Sequence, residues 1–200
     1  MHAACLSLQA ANDSAPPSDE ALMGQIARRD PFAMKALYAR HHLRLYRYLV
    51  RLIRDRDTAE DLVSEVFLDV WRQAGRFEAR SAVSTWLLAI GRNKALSALR
   101  QMSVETKNVR ASVPLVAQSD DPELATERTF TDEILRRCLT ALPTNHSEII
   151  DLVYYQGKSI KEIAAIVSIP ENTVKTRMFH ARQRLAKMLA AAGVDRAVAA

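Results

Sequence analysis

Asn172, Thr173, Lys175, Thr176, Phe179 and His180 lie close together in the stretch SIKEIAAIVSIPENTVKTRMFHARQRL, residues 159–185. Helical spacing puts them on one outward side, with Gln183 continuing the row and Arg177, Arg182 and Arg184 on the flanks. These side chains donate and accept hydrogen bonds or carry positive charge. Lys and Arg reach guanine edges or phosphates, and Thr, Asn and His reach either. The chemistry such a face offers is recognition of a polyanion with readable edges.

The face needs a platform, and the neighbouring residues supply one. Ser159 is a natural N-cap with Glu162 three residues on, the pattern of a capping box. Ile160, Ile163, Ala164 and Val167 form the inward side of a short helix, and the small Ala164 lets another helix cross closely. Pro170 cannot extend that helix but suits the first turn of the next. In the second helix Val174, Met178, Ala181, Leu185 and Met188 recur at alternating steps of four and three, one buried stripe. Two helices, a tight turn and a donor-rich second helix fit the major groove of DNA. A basic helix that only packs would not require cap, turn, stripe and outer face to agree.

A second set of residues lies upstream. Aromatic Phe77 and Trp86 stand near Ser81, Thr85, Arg92, Asn93 and Lys94, a stacking-plus-cation surface suited to single strands. Trp86 opens an apolar run and reads equally well as core. Before this set, DRDTAEDLVSEVFLDVWRQ reads as a helix with a capping-box-like start at Asp57 and Glu60. Leu62, Val66 and Val70, with Phe67, form its apolar stripe, while Asp61, Ser64, Glu65, Asp69 and Arg72 fall on the other side.

The remaining elements are also helical. SDEALMGQIARRD starts near Ser18, and Asp30-Pro31 marks a new start. Phe32, Leu37, Leu45, Leu49 and Leu52 stand at helix-compatible spacing in the following stretch, with arginines between them. A further helix starts at Ser84. DEILRRCLTALP ends at Pro143, and NHSEIIDLVYYQG closes on Gly157 as C-cap. No period-2 run of β-branched residues stands out and Gly is scarce. The expected fold is all-α: two small helical domains, residues 21–101 and 132–190, joined by a flexible linker over 102–131 that holds Pro114, Pro122 and SDDPE.

Charge follows the same division. Residues 25–101 carry 15 basic against 8 acidic side chains and residues 134–200 carry 10 against 5, while 102–133 carry 3 against 7. Two basic blocks on an acidic connector suggest two polyanion-facing modules. Cys5 and Cys138 are far apart with no metal-ligand spacing, and His41-His42 reads as a solvated pair, so neither metal nor cofactor is expected. Apolar runs such as STWLLAIG fall far short of the roughly 20 residues that span a bilayer, and the first 20 residues lack the features of a signal peptide. No membrane insertion and a cytoplasmic location are therefore expected.

The 159–185 stretch closely resembles the fourth conserved region of bacterial sigma factors, the subunits that direct RNA polymerase to promoters. AEDLVSEVFLDVW followed by STWLLAIGRNKALSALR resembles the second conserved region. The order, the linker and the lack of a third region are similar to the extracytoplasmic-function (ECF) type. The resemblance implies that Asp61, Glu65 and Asp69 dock on core RNA polymerase, at the β′ clamp helices, with the β flap as a further contact. It implies that Phe77, Ser81, Thr85, Trp86, Arg92, Asn93 and Lys94 serve the −10 element of promoter DNA, melting it and holding the unpaired strand. It assigns Asn172, Thr173, Lys175, Thr176, Phe179 and His180 to reading the −35 element, and Arg177 and Arg182 to phosphate contact or helix bracing. It further implies an anti-sigma factor as partner. Three residues depart from the family pattern: Ser97 where many relatives have Asp, Asn172 where Gly is frequent, and Ser168 at a turn position where Gly is common.

Two other readings fit the sequence less well. A free-standing helix-turn-helix regulator would leave the acidic face of Asp61, Glu65 and Asp69 without a use, and no heptad-like dimer helix is visible. An enzyme would need a nucleophile elbow, P-loop, HExxH or compact acid–base constellation, and none stands out.

Overall fold

The computed structural model describes residues 16–108 and 130–193. Among these residues there is no strand, and the chain runs α1 (Asp19–Ala27), α2 (Pro31–Ile53), α3 (Arg56–Gln73), a 3-10 turn (Ala74–Arg76) and α4 (Val83–Asn108). After the connector come α5 (Phe130–Thr140), α6 (Thr144–Ile150) with a π-helical extension (Asp151–Tyr155), α7 (Ile160–Val167) and α8 (Glu171–Ala191).

Local chemistry sets most boundaries. The Ser18 hydroxyl accepts from the Ala21 N–H and caps α1, whose first turn carries Asp19 and Glu20 against the helix dipole. Asp30 caps α2 by accepting from the Phe32 and Ala33 N–H groups, with Pro31 in the first turn. The cap of α3 is Asp55, which accepts from Thr58 N–H at 2.7 Å. A bond from the Thr58 side chain, and then the one from its N–H, hold the Asp55 carboxyl below its usual range. The expected start at Asp57 is thus displaced by two residues, because left-handed Arg54 ends α2 and leaves Asp55 extended in the capping conformation.

Phe32 lies in α2 but off its buried stripe. It is 81% exposed, while Ala33, Leu37, Leu45, Tyr48, Leu49 and Leu52 form the buried stripe of α2. Five residues separate Phe32 from Leu37, which turns Phe32 well off the stripe; Ala33 at four residues stays on it. In α3 the stripe of Leu62, Val66, Phe67 and Val70 is buried as expected. Helix α4 crosses α2 at Gly91, where a Cβ would stand 2.9 Å from Leu45 Cδ1. Helix α4 begins at Val83, one residue before the expected start, and continues to Asn108, so the first seven residues assigned to the linker are helical. Residues 109–129 of that expected linker lie outside the described residues.

His41 and His42 do more than face solvent. His41 Nε2 pairs with Asp19 at 2.6 Å, tying α2 to α1, and His42 stacks on Tyr38 with ring centroids 4.7 Å apart.

The two helical blocks do not keep separate cores. Ile149, Leu152, Ile163 and Ile166 from the second block join one apolar cluster with Leu45, Tyr48, Leu49, Leu87 and Leu88 of the first. A smaller cluster of Leu142, Ile150 and Ala181 holds α8 to its own block, with Cys138 buried nearby in α5.

Candidate nucleic-acid interface

Helix α7 is capped by the complete box expected of Ser159 and Glu162. It ends at Ser168, whose backbone is left-handed with φ of 56°, and Pro170 then leads into α8. Val174 and Ala181 are fully buried and fix the roll of α8, with Met178, Leu185 and Met188 half-buried along the same side. That roll leaves Asn172, Lys175, Thr176, Phe179, His180 and Arg182 exposed, and Thr173 and Arg177 half-buried at the margin. Phe179 is 62% exposed beside His180, edge-on at 5.5 Å. Arg182 lies over the Tyr154 ring at 5.6 Å, and Thr176 donates to the Asn172 carbonyl. Six of the eight sequence-derived residues of α8 are therefore exposed, with Thr173 and Arg177 at the edge of the buried stripe. The field near it is positive: burial, then His180, Arg184 and Arg177, push the His146 imidazole below its usual pKa. A positive, donor-rich face suits a phosphate backbone flanking readable base edges.

The seven upstream residues are not gathered in this way. Phe77 and Trp86 meet with ring centroids 5.3 Å apart, and both are half-buried against the core. Asn93 is exposed and Ser81 half-buried. Thr85 is only 2% exposed. Its hydroxyl accepts from Lys158 Nζ at 3.0 Å and donates to Glu162 at 2.6 Å. Arg92 is held by Glu148 through Nε at 2.6 Å, with the two side chains 13% and 5% exposed. Lys94 points the other way, to Glu65 and Asp69 of α3, both at 2.9 Å. Burial opposes the Lys94 charge, but its bonds to Asp69 and Glu65 outweigh burial and raise its pKa.

This last pairing joins two sets that the sequence kept apart. Of the acidic residues on α3, Asp61 is exposed and Glu65 largely so, while the Asp69 side chain is 23% exposed and engaged by Lys94. Leu68, 52% exposed on the same helix, was not singled out from sequence. It follows Asp61 and Glu65 at seven and three residues, so it continues their face.

Sequence reasoning also missed Glu148, Asp151, Gln156 and Lys158. Glu148 and Asp151 interrupt the apolar run EIIDLV and are both buried. Buried carboxylates require partners. Glu148 meets Arg92 and Tyr48, and Asp151 forms an ion pair with Arg51 at 2.5 Å. Burial raises the Asp151 carboxyl despite that arginine. Tyr48, buried first of all and then facing Glu148, has its hydroxyl raised well above the usual phenol range. Among the described residues no group of three or more His, Cys, Asp or Glu side chains is placed to hold a metal ion. None of the helices described is long and apolar enough to cross a membrane.

Comparison with known proteins locates both blocks. The family model for Sigma-70 region 2 matches residues 37–103, and that for Sigma-70, region 4 matches residues 132–185. The ECF RNA polymerase sigma factor SigM of Mycobacterium tuberculosis is 33% identical over 175 residues, covering 86% of this chain and 85% of that protein. An ECF RNA polymerase sigma factor SigK of a Mycobacterium species (strain KMS) is 31% identical over 164 residues, covering 80% and 84%. Among solved structures, the sigma factor RpoE in complex with the anti-sigma factor NepR from Bartonella quintana superposes with a TM-score of 0.69 at 26% identity, covering 81% of this chain and 98% of that one. CnrH, solved with the cytosolic domain of CnrY, shares the fold with a TM-score of 0.61 at 23% identity. Two family regions in order and full-length relatives of one kind agree: the chain belongs to the ECF sigma factors of the sigma-70 family.

Proposed function

We propose that this chain binds core RNA polymerase and directs it to a specific set of promoters, reading −35 duplex DNA with α8 and capturing the melted −10 strand around the start of α4. It acts as a specificity subunit rather than an enzyme, and it works in the cytoplasm. The observation that carries this reading is the outward face of α8, where Asn172, Lys175, Thr176, Phe179, His180 and Arg182 are all exposed while Val174 and Ala181 are buried. A helix that only packed would not leave Phe179 bare next to a row of donors.

The exposed Asp61, Glu65 and Leu68 of α3 are the proposed docking face for the polymerase β′ clamp helices: an apolar anchor beside acidic groups suits a partner with basic ones. Weak DNA contacts by the two blocks then add through the shared polymerase. The Bartonella quintana relative was solved with an anti-sigma factor, and an anti-sigma protein is the proposed inhibitor here as well.

The test is transcription in vitro with purified core polymerase and pooled genomic promoter fragments, with and without the protein. Defined transcripts that depend on the protein are expected. No transcripts, together with a specific duplex shift by the protein alone, would instead identify a free-standing regulator.

A further inference from the structure

Helix α8 has a margin on each side of its reading face, and one margin meets α6. Leu142 and Ile150 pack on Ala181, and His146 lies midway between them at steps of four, so its ring falls in the same seam between α6 and α8. On α8, Arg177 stands four residues before Ala181 and Arg184 three after it, with His180 adjacent. Arg184 and His180 are exposed and Arg177 is half-buried. Among the described residues neither Arg177 nor Arg184 has an ion pair, whereas Arg40, Arg51 and Arg92 each hold a carboxylate. The Nδ1 of His146 is buried with no hydrogen-bond partner. An orphaned ring nitrogen and two unpaired guanidinium groups on one margin suit an anion that arrives from outside. A helix seated in a major groove about 12 Å wide has a phosphate strand along each margin.

We infer a phosphate clasp built from two helices: His146 of α6 joins Arg177, His180 and Arg184 of α8 to hold one backbone strand of duplex DNA, and His146 takes up a proton as the strand binds. The inference rests on the proposed duplex-reading role of α8 and adds to it a contact from a second helix and a dependence on pH. In the free chain burial, then His180, Arg184 and Arg177, hold the imidazole below its usual 6.5. Those are the charges that act on it, and none comes from α5. The carboxylates of its own helix and its extension, Glu148 and Asp151, are held by Arg92 and Arg51. A phosphate seated among Arg177, His180 and Arg184 offsets their charge, so the His146 pKa is higher in the complex than in the free chain. The cost of the buried Nδ1 is common to both states and cancels from the difference. A group whose pKa rises on binding tightens that binding as the pH falls through the interval between its two values.

The test is fluorescence anisotropy of the full-length chain with a labelled duplex of mixed sequence, because backbone contacts do not depend on sequence. Arg184→Gln removes an exposed cation. Its affinity should fall several-fold, and the slope of log affinity against log salt, read between about 50 mM and about 200 mM, should shrink by about 1. His146→Gln keeps a polar side chain that cannot be charged, and circular dichroism establishes that it is folded. On lowering the pH from about 7.5 to about 5.5, the parent should gain about threefold more affinity than this variant. Calorimetry in two buffers of different ionisation heat reads the same proton uptake in the parent with no substitution. An unchanged salt slope in Arg184→Gln overturns the clasp. So does an absence of proton uptake by the parent, or a pH profile that His146→Gln leaves as it was. Lys175→Ala separates the clasp from the reading it rests on. If Lys175→Ala weakens duplex binding while Arg184→Gln and His146→Gln behave as the parent, α8 reads duplex and the clasp alone fails. A parent with no duplex affinity at the low-salt end overturns both.

Discussion

The outer face of α8 and the start of α4 are both assigned to DNA, yet the protein treats them oppositely. On α8, Asn172, Lys175, Thr176, Phe179, His180 and Arg182 stay exposed on a helix rolled into place by Val174 and Ala181. On α4 the corresponding residues are occupied: Thr85 and Arg92 by the second block, Lys94 by α3. The difference matches the substrates proposed for the two faces. A duplex groove exists before the protein arrives, so its reader can stand ready. An unpaired strand exists only after melting, so its receptor has no use until polymerase has engaged.

The largest effect expected from breaking this contrast is on the open face. Lys175→Ala removes an exposed cation that braces nothing in the fold, so stability should hold within about 0.5 kcal/mol. Promoter affinity should fall by about tenfold, as for loss of one base or phosphate contact of about 1–3 kcal/mol. Core-polymerase binding in a pull-down should not change. Equal loss of both would mean that α8 is not a dedicated DNA reader.

Next in size is the acidic face of α3. Asp61→Arg with Glu65→Arg should weaken core-polymerase binding several-fold through reversed charge and leave the chain folded, since both residues lie outside the core. The double change also takes Glu65 from Lys94, leaving Asp69 to hold it. A surface-plasmon titration against core polymerase reads the loss; unchanged affinity would remove these residues from the docking face.

How much of this was legible without coordinates follows the same contrast. The α8 face depends on helical phase within about 20 residues, and phase is written in the sequence, as are the caps at Ser18, Asp30 and Ser159. Where two candidate caps stood two residues apart, Asp55 and Asp57, the choice turned on the left-handed backbone of Arg54, which spacing does not reveal. Phe32 is compatible with the helix that holds Leu37, Leu45, Leu49 and Leu52, but Ala33 takes the buried position and Phe32 stays exposed. The network of bonds between the two blocks was not legible because its partners are 56 to 112 residues apart. Its one local trace was Glu148 in an apolar run, a buried carboxylate without a partner nearby in sequence. That trace says a cation must come, not which one.

A smaller effect concerns a carboxylate shared between a helix cap and the other block. Glu162 serves both the α7 cap and Thr85. Burial opposes its charge, but the bonds from Thr85 and Ser159 and the nearby Lys158 bring its pKa down from 4.5 to about 2. A carboxylate depressed in the folded state stabilises at pH above its unfolded value, and that contribution is lost as the pH falls through the folded value. Glu162→Ala should therefore lower stability by about 1 kcal/mol at pH 7, the usual worth of a cap. The gap to the parent should narrow between about pH 4.5 and pH 2. Asp151, whose raised carboxyl acts in the opposite direction, is common to both proteins and cancels in the difference. Urea midpoints across that range read the gap, and a gap constant with pH would mean that Glu162 contributes packing rather than charge.

The smallest effect concerns the turn that sets α8 relative to α7. Ser168 holds a left-handed backbone at φ of 56°, a conformation that costs a residue with a Cβ about 1 kcal/mol or more and costs glycine nothing. Ser168→Gly relieves that strain but gives glycine more freedom to lose on folding, which offsets about 0.4–1 kcal/mol. The net expectation is a gain of a few tenths of a kcal/mol, seen as a small rise in the urea midpoint with unchanged slope. Duplex binding should be unchanged, because the Ile169 N–H bond to the Ala164 carbonyl at 3.2 Å and the φ of Pro170 already fix the turn. A loss of duplex affinity would show that the serine side chain, rather than the backbone angle it adopts, positions the open face.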